Sequence, residues 1–221
     1  KKRDRNNFGP KAWIYSYKEK EKHLNNNRKQ TMKFQAIQYW SQGNPSSDLN
    51  QITNKWDDIL KTLGQPSIQL FDKNKAYKYI ENHCPDLLIP FETAFHYAVE
   101  ADIFRIAYAL NNSCIWLDSD LYPTRTTHLF LPNAFEKRKT TLMFRWYKPW
   151  ITNAFFVTDA NSPLFNTILR QMKNYNFKEK EHSTNEVLSS FGPRRYNNVW
   201  KQLMKENKEK DIINYKKTNI R

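Results

Sequence analysis

The segment that most constrains this chain is a run of four apolar residues, Cys114-Ile115-Trp116-Leu117, that passes directly into Asp118-Ser119-Asp120. The apolar run reads as a short buried strand. Side chains alternate along an extended segment, so Asp118 and Asp120 are expected on one side and Ser119 on the other. Two hard carboxylates at the carboxyl end of a buried strand can hold Mg²⁺ or Mn²⁺. Ligands of open α/β sheets bind at that end of the strands. The bare Asp-x-Asp pattern also occurs in turns and helix caps, so its surroundings decide its meaning.

Those surroundings alternate between strand and helix. Residues 34–40 form a short apolar and aromatic run closed by turn formers at 41–46, which reads as the first core strand. From Asp48, placed as an N-cap, the positions Leu49, Ile52, Trp56, Ile59, Leu60 and Leu63 follow a helical period that Gly64 ends. Residues 68–71 read as a strand, and a helix through Ala76, Tyr77 and Ile80 ends before Pro85. A mostly buried helix is expected over 93–111. Strands at 141–144 and 153–157 flank an aromatic, basic turn at 145–150. Pro163 opens a helix reaching Tyr175. A further helix through Val187 and Leu188 stops at Phe191-Gly192-Pro193, and the tail is helical from Asn197 before turning rich in Lys and Glu. This order predicts an α/β domain with a mainly parallel, Rossmann-type sheet flanked by helices. Residues 1–33 are polar and basic, with a short strand at 12–15, and read as a loosely structured lead-in to a single domain over 34–221.

Composition narrows the partners. The 221 residues carry 36 Lys and Arg against 22 Asp and Glu, a formal charge of +14, which suits an anionic partner such as nucleic acid, a phosphorylated small molecule or an acidic membrane surface. Fourteen Phe, twelve Tyr and seven Trp supply an aromatic core. Only four Gly are present, and neither a GxGxxG nor a GxxxxGK loop occurs. Two cysteines, Cys84 and Cys114, cannot form a disulfide framework and set a reduced, cytoplasmic setting as the default. In the helix expected over 93–111, Asp102 and Arg105 lie three apart on one face. They could be a surface ion pair, but Ala98, Ala101, Ala107 and Ala109 around them indicate close packing, which makes the pair a site candidate.

Ala101-Asp102-Ile103-Phe104-Arg105, followed by Ile115-Trp116-Leu117-Asp118-Ser119-Asp120, resembles the sugar-binding region of the DxD glycosyltransferases with a GT-A fold. That group includes capsular polysaccharide synthesis enzymes, yeast Golgi mannosyltransferases and the catalytic domains of large clostridial toxins. Further blocks match in order: Ile37-Gln38-Tyr39-Trp40 with Asn44-Pro45, Trp56, Leu70-Phe71-Asp72, Asn153-Ala154-Phe155-Phe156 with Ser162-Pro163-Leu164, and Phe191-Gly192-Pro193. The usual Gly-Gly before the third strand is Ser113-Cys114 here, and the usual Tyr is Trp116. The resemblance implies a retaining, metal-dependent transfer of a hexose or N-acetylhexosamine from a nucleotide sugar, a UDP-sugar above all. It implies that Asp120 binds Mn²⁺ or Mg²⁺, that Asp118 contacts the ribose and supports the metal, and that Asp102 and Arg105 grip the donor. Trp116 and the neighbouring Ser119 join the donor site, Gln38, Tyr39 and Trp40 line the base pocket, and Asn153 lies near the reacting carbon. Core packing is the alternative for Trp40 and Trp116, and a strand-end turn for Asn153.

The acceptor is a glycan, a lipid-linked glycan or a protein. By resemblance the setting is bacterial polysaccharide synthesis in the cytoplasm, with peripheral contact at an anionic inner membrane face, or a secreted effector. The competing reading is a basic nucleic-acid-binding module, suggested by the charge and by aromatics interleaved with cations at 137–150, or its variant, a metal-dependent nuclease. Carboxylates at the strand end disfavour a bare phosphate backbone, so nucleic acid is not the expected partner.

Overall fold

The computed structural model describes residues 33–124, 127–128, 131–132, 135, 140–147, 150–172, 191–206 and 212–216. The chain divides into two units, Lys1–Lys33 and Phe34–Arg221, and the described residues after Lys33 belong to the second. The strand expected at 12–15 and the helix expected through Val187 and Leu188 lie outside the described residues.

In order, the elements are β1 (Gln35–Tyr39), α1 (Ser47–Thr62), β2 (Gln69–Phe71), α2 (Lys73–His83), α3 (Leu88–Glu92), α4 (Tyr97–Asn111), β3 (Cys114–Leu117), β4 (Thr141–Tyr147), β5 (Trp150–Thr158), α5 (Pro163–Met172), α6 (Pro193–Lys205) and β6 (Ile212–Lys216). They form the expected α/β architecture around a six-stranded sheet of order β2-β1-β3-β5-β4-β6. Three of its five strand contacts are parallel, and β5 runs antiparallel to both β3 and β4.

Period-two alternation decides which residue meets which layer. Ile37, Tyr39, Cys114, Trp116 and Phe156 pack on one face with α4, α5 and α6. Ala36, Ile115, Leu117, Phe155 and Val157 pack on the other with Trp56 and Leu60 of α1. Trp56 is fully buried and stacks on Phe155 with ring centroids 5.7 Å apart. Burying a large apolar side chain of this kind contributes roughly 1.5–3 kcal/mol. Behind α4 the rings of Phe71, Phe104, Tyr79 and Tyr108 interlock at centroid distances of 4.8 and 4.9 Å for Phe71–Phe104 and Tyr79–Tyr108. The aromatic core expected from composition is therefore a wall that holds α4 against the sheet.

Several elements differ from the sequence expectation. Ser46 rather than Asp48 occupies the N-cap of α1, and Asp48 sits in the first turn, where its charge suits the helix dipole. The helix expected from residue 93 begins at Tyr97, because the chain first closes α3 at Thr93 and His96 then caps α4 by accepting from the Ala98 N–H. The final helix starts at Pro193, not Asn197, since proline suits the first helical turn. Residues 212–216 add β6 beside β4, a strand that the Lys- and Glu-rich tail does not suggest. The expected turn at 145–150 is also shorter, because residues 145–147 and 150 are strand.

Candidate functional site

The parallel strands β1, β2 and β3 end on one edge of the sheet, and the loops after them meet there. Trp40 N–H donates to Phe71 O at 2.9 Å, and Ser119 Oγ donates to Tyr39 O at 3.0 Å. Because β5 runs against β3, its beginning reaches the same edge. Asp118 N–H donates to Ala154 O at 2.9 Å, which places Asn153 beside the acidic loop.

Alternation carries Asp118 to the face that already holds Cys114 and Trp116, the face covered by α4. There it meets Arg105, whose guanidinium Nη2 lies 3.2 Å from Asp118 Oδ1 and 3.1 Å from Asp102 Oδ1. Trp116 Nε1 donates to the same Asp118 oxygen at 2.7 Å. The Arg105 guanidinium also lies over the Trp116 ring, 4.8 Å from its centre. Asn153 Nδ2 donates to Asp102 Oδ1 at 2.8 Å, and Arg105 Nη1 donates to Asn153 O at 2.6 Å. One guanidinium thus joins two carboxylates, an indole face and a strand backbone.

A bulge makes that last bond available. Met143 of β4 pairs with Phe156, but the next residue, Phe144, pairs with Thr152, so residues 153–155 stand out of this ladder. Bulges re-aim strand groups in this way. Here the Asn153 carbonyl faces Arg105. Asn197 of α6 secures the strand just before the bulge: its Oδ1 accepts from Ile151 N–H at 3.0 Å, and its Nδ2 donates to Pro193 O at 2.8 Å.

The electrostatics follow from burial. Asp102 and Arg105 are 7% and 4% exposed. Burial pushes the Asp102 carboxyl up to about 6, against the pull of Arg105 and with a further push from Asp118. Asp118 is raised as well, by burial first, while Arg105 and the Trp116 N–H oppose the shift and Asp120 adds to it. Burial disfavours the Arg105 cation, but Asp118 and Asp102 more than offset this and hold it charged. Two carboxylates share one cation, so the cluster has an excess of negative charge toward the open edge.

The strand ends at Leu117, and residues 118–121 form a turn in which Leu121 N–H donates to Asp118 O at 3.0 Å. Strand alternation therefore does not place Asp120, as the sequence reading assumed; the turn does. Ser119 points away from the acidic side, into the end of β1, as expected. Trp56 Nε1 fixes the turn by donating to Leu121 O at 2.5 Å. Asp120 is exposed, and among the described residues no hydrogen bond reaches Asp118 Oδ2. Asp118 and Asp120 are two hard oxygen donors close enough for Asp120 to raise the Asp118 carboxyl, a pairing that suits a divalent cation that also takes oxygens from a ligand. Among the described residues no group of three or more His, Cys, Asp or Glu could hold a metal.

The structure thus brings Asp102, Arg105, Trp116, Asp118 and Asn153 into one network, with Ser119 and Asp120 in the adjoining turn. The base-pocket candidates stand apart. Tyr39 lies on the α4 face, 6% exposed, with its ring 5.7 Å from that of Phe104. Gln38 lies on the opposite face, where its Oε1 accepts from Thr53 Oγ1 at 2.8 Å and its buried Nε2 has no hydrogen-bond partner among the described residues. Trp40 is half-buried at the head of the turn closed by Gly43 N–H to Trp40 O at 2.9 Å. Trp116 is 1% exposed and reaches the site through its N–H and the face under Arg105. Sequence reasoning missed Asn197 and also Glu100, a buried carboxylate two residues before Asp102. The only signal for Glu100 was a charge among the apolar positions of α4.

No family model and no curated protein matches the chain. Among solved structures it is similar to PaToxG glycosyltransferase, with a TM-score of 0.54 and 17% identity, over 79% of this chain and 70% of that one. The UDP-bound glycosyltransferase domain of the YGT toxin aligns with a TM-score of 0.46 and 8% identity, over 79% of this chain and 56% of that one. The likeness to the first establishes a glycosyltransferase-type fold for residues that the sequence reads as GT-A-like.

Proposed function

We propose that the chain is a glycosyltransferase domain that transfers a hexose or N-acetylhexosamine from a nucleotide sugar, a UDP-sugar by preference, with retention at the anomeric carbon. One observation carries this reading. Asp102, Arg105 and Asn153 are buried at the carboxyl edge of the sheet and joined to the half-buried Asp118, two residues before the exposed Asp120. A solved neighbour named as a glycosyltransferase supports it through the shared fold.

Asp118 and Asp120 would hold Mn²⁺ or Mg²⁺, which when bound offsets the charge of a diphosphate leaving group. The protein's own part is preorganisation. Arg105 fixes the Asp118 carboxylate in one orientation, and Trp116 holds the same oxygen from below. Asp102 and the bulge hold the buried Asn153 beside Arg105, and in this reading it would meet the donor sugar from there. The acceptor is a glycan, a lipid-linked glycan or a protein, and the surrounding Lys and Arg excess would draw in the anionic donor and support contact with an anionic membrane face. The test is release of nucleoside diphosphate from a panel of nucleotide sugars with Mn²⁺ present. Turnover with a UDP-sugar, abolished in Asp120→Ala, is the expected result. Salt-sensitive DNA or RNA binding with no turnover of any nucleotide sugar would sink the proposal in favour of the nucleic-acid reading.

A further inference from the structure

Glu100 has no part in the donor site as proposed, yet it is 4% exposed and its carboxylate is held by three side-chain donors. Its Oε2 accepts from Tyr39 Oη at 2.6 Å and from Ser41 Oγ at 2.7 Å, while Oε1 accepts from Lys73 Nζ at 2.6 Å. These partners come from the last residue of β1, the loop after it and the first residue of α2. All three lie at the carboxyl ends of β1 and β2. The backbone adds matching ties, with Lys73 N–H donating to Ser41 O at 3.3 Å and Trp40 N–H to Phe71 O at 2.9 Å.

We propose that Glu100 is a positioning residue for the base side of the nucleotide site, fixing the 39–43 loop and the start of α2 so that Trp40 is held at the rim in one orientation. This rests on the nucleotide-sugar reading. Three physical points support it. Beyond Tyr39, which Glu100 itself holds, the loop's side chains lie shallower: Trp40 is half-buried, and Gly43 has a φ of +83° that allows the turn without fixing it. A carboxylate accepting from three donors makes charge-assisted bonds, which are short and strong. And the anchor is built into α4, the helix that also carries Asp102 and Arg105, so one rigid element registers both halves of the site.

Lys73 is the exposed member, with its side chain 46% accessible, and it permits a test that leaves the core intact. Steady-state turnover of the best UDP-sugar is measured with Mn²⁺ for wild type, Glu100→Gln, Lys73→Met and Lys73→Arg. For a loosened binding wall the expected result is a KM raised about tenfold in Glu100→Gln and about threefold in Lys73→Met, with kcat within about twofold of wild type. Lys73→Arg keeps a cation and should restore the wild-type KM. An unchanged KM in folded Glu100→Gln, or a fall in kcat at constant KM, overturns the inference. If Glu100→Gln does not fold, Lys73→Met decides in the same way. Failure of the wild type to turn over any nucleotide sugar is a different result, which removes the functional reading and this inference with it.

Discussion

Two carboxylate centres sit less than a turn apart on α4, and they are in opposite electrostatic states. Glu100 has three donors to itself, and although burial alone would raise its carboxyl, Lys73, Tyr39 and Ser41 hold it below the ordinary range. Asp102 shares one guanidinium with Asp118, and burial leaves it well above that range. A saturated carboxylate is an anchor. An undersaturated pair, one member of which is partly exposed, keeps negative charge that a cation can neutralise, which is how a binding site differs from a structural tie.

The largest effect should come from removing the shared cation. Arg105→Leu removes the shared cation from the buried Asp102 and the half-buried Asp118, and a loss of about 3–5 kcal/mol in chemical denaturation is expected. A loss under about 1 kcal/mol would mean that the pair is far better solvated than its burial indicates. Next comes Glu100→Ala, which leaves the buried Tyr39 hydroxyl unpaired and should cost about 2 kcal/mol. If it costs as much as Arg105→Leu, the contrast between the two centres is wrong.

pH separates them by sign. Asp102 has a folded value of about 6 against an ordinary 3.8, so the folded state takes up a proton first as pH falls. Wild type should therefore gain stability relative to Asp102→Asn between those two values. Glu100 is lowered, so its contribution is present above the ordinary carboxylate range and is lost as pH falls through the folded value. Wild type should lose stability relative to Glu100→Gln in acid. Parallel slopes in both comparisons would collapse the distinction. The smallest effect is expected at Tyr196, whose buried hydroxyl has no hydrogen-bond partner among the described residues and whose titration burial pushes upward. Tyr196→Phe should change the midpoint of thermal unfolding by no more than the equivalent of about 0.5 kcal/mol.

The same contrast explains what could be read from the sequence. Asp102, Arg105 and Asp118 were legible because local periods place them: three residues apart on a helix, and in step with Cys114 and Trp116 on a strand. Asn153 was legible only through resemblance, since its place depends on a bulge that no local pattern marks. Glu100 was marked only by a charge among apolar positions and Asn197 by nothing, because the partners that give them a role lie 27–61 and 46 residues away along the chain. In the fold, the buried strands and amphipathic helices followed from period, whereas β6 did not, because its pairing with β4 is non-local and its flanks read as solvated charge. Asp120 shows the limit from the other side: the acidic pair was found on a premise of extended chain, but a turn places it.

The central claim is that Asp118 and Asp120 make this edge a metal-assisted nucleotide-sugar site. The most direct measurement is thermal unfolding with a UDP-sugar, with and without Mn²⁺, in wild type and in Asp120→Ala. Because Asp120 is exposed, the variant should unfold at the wild-type temperature when no ligand is present. The account predicts that Mn²⁺ and the UDP-sugar together raise the unfolding temperature of wild type, by mass action on the folded state, and leave Asp120→Ala unmoved. Equal stabilisation of both proteins, or stabilisation of wild type that is indifferent to Mn²⁺, would contradict it.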